Sequence, residues 1–483
     1  MKLPSFNSTY RTFTKRDTLG LQSLSSSIQA TICPIINVVT PHPFYWAFLI
    51  WNYYHFYSLP ENKNVSDGVF SDEFVKRNDF YFVLSTYLGG KSLDGIAGQN
   101  NIRRDYYNKK EEETFAYNNG YYRSHFGGMQ YYNYGCIKTG FVNEDVKKID
   151  LDSDSLGAIL TKAFDSAIQD TAIYKDYISQ NKLLDNVKKE DLIELSKYLS
   201  LKMEGMDEVK ELLYEAFFKK VDNNGAENLL ASVEEYINLL IEHEFIDKNG
   251  SLDTATAKRL LYGDTNPIIV GKTELNKRQL AQTIRWELVI ANQYYVSCIE
   301  MLWQYLLSIL FVPTTKEEWI DNAINGSNNI SLDSPLTSIT RVLTFDEMEA
   351  AVKNNLGKNT LASVLSVLMS IYNRFNNDKQ EKIEKFEYLP GWDKKELCVF
   401  SLVTKIKHGD FKNVRELFEY LLKVHVIESH ERVGIEKRYQ GRDGFLFEKF
   451  DGLYRNKGIT IDISEPPLRI VNVFSVLKEL GKL

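Results

Sequence analysis

The chain has 483 residues, 43% apolar and 25% charged, a balance that buries a core and excludes wholesale disorder. A single hydrophobic core stops growing below that length, so two or three packed units are expected. The formal net charge of −7 excludes attachment to nucleic acid by bulk positive charge; any such contact must come from a local basic patch.

The N-terminal stretch carries Lys2, Arg11, Lys15 and Arg16 without an apolar run, so no secretory signal is expected. Asp17-Thr18 before Leu19, Leu21 and Leu24 predicts a short helix with an acidic start. Pro43 then stands at the first turn of an aromatic helix, Phe44 to Tyr57, which is too short to span a bilayer and is interrupted by Asn52 and His55. Phe74 to Leu88 predicts a further helix, stopped by Gly89-Gly90. Arg103–Asn108 and the tyrosine-rich stretch Tyr117 to Tyr134 carry too many Asn and Gly for a regular element to be assigned.

From Ser155 the apolar residues recur at three and four, beginning with Leu156, Ile159, Leu160, Ala163, Phe164 and Ala167. Helices follow at Lys189–Leu201, Asp207–Val221 and Ala226–Phe245, and a long one runs from Arg278 to Leu310. Within its second half Glu300 and Gln304 argue against a membrane span. Pro313 to Pro335, with Asn325-Gly326-Ser327-Asn328-Asn329, reads as a polar linker. Two helices between Thr344 and Asn377, then Trp392–His408 and Val414–Lys437, continue the pattern. Gly444–Phe450 and Leu453-Tyr454-Arg455 flank Asp451-Gly452, which predicts a β-hairpin. After Pro466-Pro467, Arg469 to Leu480 forms a last amphipathic helix. No fixed-period repeat or low-complexity tract interrupts the chain.

The fold class expected is therefore mainly α: bundle-like units with a small C-terminal α+β module, helix–hairpin–helix, of winged-helix-like order. The predicted divisions are an aromatic-rich helical domain at 1–150, a helical domain at 151–312, a linker or surface loop at 313–343, and a C-terminal helical region at 344–483.

Catalytic motifs are hard to build. Gly271-Lys272-Thr273 suggests a phosphate loop, but the motif needs a glycine where the chain has Asn266. His425 and His430 lie five apart, off the spacing that puts two imidazoles on one helical face. Cys33, Cys136, Cys298 and Cys398 offer no metal clip and read as buried thiols of a reducing cytoplasm. The acidic groups Asp150/Asp152/Asp154, Glu234/Glu235 and Glu317/Glu318 read as solvated faces. No catalytic residue, metal ligand or cofactor is therefore assigned. Basic residues do gather at Arg432, Lys437, Arg438, Arg442, Lys449, Arg455 and Lys457, interleaved with Tyr439, Phe445, Phe447 and Tyr454, a mixture suited to nucleic acid.

Several phrases resemble a diffuse group of uncharacterised bacterial proteins found among anti-phage defence and mobile-element genes. They are Lys15–Leu21, the helix around Phe44–Tyr57, Leu156-Gly157 through Phe164, Arg285-Trp286 through Tyr294-Tyr295, and Arg469-Ile-Val-Asn through Leu480-Gly481. The resemblance implies a setting, one component of a multi-gene defence system, and no catalytic residue carries over. With 29 Tyr and 27 Phe to anchor partners, the chain reads as a non-catalytic cytoplasmic sensor, adaptor or scaffold beside a separate ATPase or nuclease. Nucleic-acid binding through the C-terminal module is the alternative, and an enzyme of unfamiliar type the second alternative.

Overall fold

The computed structural model describes residues 11–12, 17–59, 62, 68–109, 111–117, 121, 129, 131–142, 149–180, 182–219, 228–263, 275–327, 330–354, 359–376, 395–441, 444–460 and 467–483. It is mainly helical, with a small two-stranded sheet near the C-terminus. Two compact units form, each from two stretches of chain: Met1–Ile32 with Asp253–Leu468, and Cys33–Leu252 with Arg469–Leu483. The predicted divisions follow sequence order, whereas these units interleave. The first helix, Leu21–Ile32, packs on the long helix Lys277–Ile309, and the last, Arg469–Glu479, packs on Leu229–Glu242. Such distant pairings leave no local mark in a single sequence.

The first unit is organised around Lys277–Ile309, started by a reciprocal capping box between Asn276 and Gln279. Helices Thr254–Tyr262, Phe345–Asn354, Thr360–Asn376 and Val399–His408 surround it, so it is apolar on more than one face. Three of its polar side chains find specific partners. Glu287 accepts from Arg374 Nε at 2.8 Å, and Tyr294 donates to Glu349 at 2.7 Å. Glu300 accepts from Gln22 on the first helix at 3.0 Å. The acidic start predicted there is present: Asp17 accepts from the backbone N–H groups of Gln22 and Ser23. Segment 313–343, read as a linker, holds the helix Lys316–Asn325, capped by Thr315 and Glu318, with Trp319, Ile320, Ala323 and Ile324 inward. Its ten residues are short, and the following Asn-Gly-Ser-Asn-Asn run masks their period.

In the second unit the helix Phe44–Ser58 buries twelve of its fifteen residues, so its aromatics are core. Trp46 meets Tyr132 and Phe217 with ring centroids 4.8 and 4.9 Å apart, and Phe48 meets Phe82 at 5.6 Å. The polar Asn52 is satisfied inside: its amide donates to Phe48 O and accepts from Asn78, each at 2.6 Å. The C-terminal helix closes the unit, its Arg469 guanidinium donating to the Cys33 carbonyl at 2.7 Å. All four cysteines are free and buried. Among the described residues no helix is long and apolar enough to cross a membrane.

Candidate interaction surface

The small sheet pairs Phe447–Phe450 with Leu453–Asn456, antiparallel, placing Glu448 opposite Arg455 and Phe450 opposite Leu453. Its two-residue connection, Asp451-Gly452, has φ of 51° and 77°, the double positive φ of a type I′ turn, whose twist matches the flanking strands. On the far edge of Leu453–Asn456 a third extended segment lies antiparallel, with Thr314 and Tyr454 exchanging N–H···O bonds of 3.2 and 2.8 Å. Side chains alternate across a strand, so the sheet has two chemically distinct faces.

The inward face carries Phe447, Lys449 and Tyr454. Phe447 and Tyr454 rings stand 5.0 Å apart and pack on Trp319, with Trp303 and His430 behind. His430 pins this layer at both nitrogens: Nε2 accepts from the Leu446 N–H and Nδ1 donates to the Thr18 carbonyl, each at 3.0 Å. That pairing fixes the neutral imidazole. Gly434 on the helix Ser429–Tyr439 lets Phe445 lie close, since a Cβ there would stand 2.7 Å from its ring. Glu431 of the same helix accepts from Lys449 Nζ and from the Tyr454 hydroxyl, each at 2.9 Å. Burial alone would raise the Glu431 carboxyl, but these two donors outweigh it and hold the group below its ordinary value.

The outward face is apolar and wet. Phe450 is 84% exposed and Leu453 37%, beside the exposed pair Glu448 and Arg455. Phe311 and Val312, which lead into Thr314 of the third segment, are also exposed, at 79% and 65%. Isolated exposed apolar side chains are ordinary; here Phe450 and Leu453 stand directly opposite each other on one face of the sheet.

The described basic residues of the candidate nucleic-acid site differ in what they contact. Lys437 donates to the Asp17 carbonyl at 2.9 Å and Lys457 to the Phe445 carbonyl at 3.3 Å. Arg432 pairs with Glu436 at 4.0 Å, and the Arg438 guanidinium lies 5.0 Å from the Phe445 ring centroid. Lys449 is on the inward face with Glu431, whereas Arg455 is on the outward face. Arg442 lies outside the described residues, as does Gly271-Lys272-Thr273.

The remaining candidates lie in separate environments. His425 is buried, its Nδ1 hydrogen-bonded with the Tyr295 hydroxyl, and burial pushes its pKa down to about 3. Asp150, Asp152 and Asp154 are exposed, and Glu318 is spent in a helix cap. Glu234 is buried instead, accepting from Tyr214 at 2.7 Å. Sequence reasoning missed Phe311 and Val312, which follow a long helix and read as its tail; Pro313 just after them was the available sign of an extended segment. Comparison with protein-family models, with curated proteins and with solved structures finds no match.

Proposed function

We propose that this chain is a non-catalytic helical subunit, a sensor, adaptor or scaffold, that works through protein partners in a multi-component bacterial system of the anti-phage defence type. One observation carries the reading: the outward face of the sheet, with Phe450 and Leu453 in water over an aromatic layer of Trp303, Trp319, Phe447 and Tyr454. An apolar cluster held in place before binding costs little ordering when a partner covers it. The defence setting rests on the sequence resemblance alone.

The test is purification of the tagged chain from its host, with and without nuclease, beside a Phe450→Glu variant. A defined protein complex that survives nuclease and is lost in the variant supports the reading. An identical profile for both proteins contradicts it.

The second reading is a winged-helix-like nucleic-acid module. It is favoured by Tyr439, 89% exposed at the end of a helix that also carries Lys437 and Arg438. Nucleic acid that co-purifies and is released by salt, and by Arg438→Glu, selects it over the adaptor reading.

A further inference from the structure

The outward face is complementary in charge to a second copy of itself. Glu448 stands directly across the strand pair from Arg455, and Phe450 directly across from Leu453. An axis drawn parallel to the two strands and midway between them therefore exchanges these residues. Rotating a second copy by half a turn about such an axis, lying in the plane of the face, sets Glu448 over the copy's Arg455. It sets Phe450 over the copy's Leu453. Both contacts recur in the reverse sense, as an isologous interface requires. Opposite charges meet twice, the apolar pair meets twice, and no like charges are opposed.

The charges are available for this. Glu448 and Arg455 are exposed, and their side chains make no ion pair with each other or with another described residue. Lys449, between them in sequence, points to the inward face and is committed to Glu431. Two sheets meeting face to face stack about 10 Å apart, which leaves room for Phe450 and Leu453 to interdigitate.

We infer that the outward face of the sheet at Glu448, Phe450, Leu453 and Arg455 docks a second copy of this chain. The inference rests on the adaptor reading and names the partner of that same surface. The face offers fewer residues than the roughly 20 to 30 a side of a standard interface, so the dimer is concentration-dependent and transient.

The experiment is sedimentation velocity of the purified full chain over a wide concentration range, with circular dichroism to check that each variant is folded. Wild type should shift from monomer toward dimer as concentration rises. Arg455→Glu sets acid on acid at both contacts and should weaken association at least about tenfold. The double exchange Glu448→Arg with Arg455→Glu restores opposite charges only between two copies of the same chain, and should recover the wild-type curve. Phe450→Glu should leave a monomer. A wild type that stays monomeric at every concentration overturns the inference, as does a dimer indifferent to Arg455→Glu or a double exchange that fails to recover. If the chain alone is monomeric while Phe450→Glu still removes a defined partner from the host complex, the adaptor reading stands and the second copy does not. If Phe450→Glu alters neither, both fall.

Discussion

Two regions of this protein are rich in aromatic residues, and they use them oppositely. The helix Phe44–Ser58 is apolar around most of its circumference, so nearly every side is covered and most of its rings become core. The sheet Phe447–Asn456 alternates, so Phe447 is covered while Phe450, three residues on, stands in water. Aromatic content by itself separates neither role; the period at which the rings recur does.

The comparison can be broken at several points, the largest effect first. Phe48→Ala removes a ring enclosed by Phe82 and Phe164, and should cost about 3–5 kcal/mol in urea unfolding. Phe450→Ala should stay within about 0.5 kcal/mol of wild type in the same measurement. Equal costs at the two sites would erase the distinction drawn between them.

Acid probes the packing of His425 against Tyr295 of the long helix. The folded-state pKa of His425 is depressed to about 3, so the native state holds it neutral while an unfolded chain protonates near the ordinary histidine value. Its contribution is complete above about pH 6.5 and is lost as pH falls from there through about 3. Unfolding free energy should therefore drop by about 2 kcal/mol between roughly pH 7.5 and pH 5 from this group. His425→Gln, which keeps a hydrogen-bonding group for Tyr295 but does not titrate, should flatten that slope. A slope unchanged in the variant would mean that other groups set it. Smaller again is the turn: Gly452→Ala, at a φ of 77°, should cost about 1 kcal/mol and lower the melting temperature without unfolding the helices.

Much of the fold was legible in local sequence. Asp17 before Leu21 marked a capped helix, the three-and-four recurrence from Leu156 marked another, and Asp451-Gly452 marked the turn of the small sheet. What stayed hidden is long-range. That Arg469 would reach Cys33, that Thr18 would meet His430, and that Thr314 would line up beside Tyr454 are facts of tertiary pairing with no periodicity of their own. The candidate surface was half visible for the same reason. Composition drew attention to residues 432–457 through their positive charge, and the structure turns much of that charge inward or onto neighbouring acids and carbonyls. Among the apolar side chains between those cations, Tyr439, Phe450 and Leu453 face the water, beside the exposed Arg432, Arg438, Lys449 and Arg455.

The central claim is that this outward face is a docking surface and not a packing accident. The direct test measures, on the same preparations, the mass of the native complex by light scattering and the unfolding midpoint for wild type and Phe450→Glu. The account predicts a loss of mass at an unchanged midpoint. An unchanged mass, or a loss of mass that tracks a lowered midpoint, would contradict it.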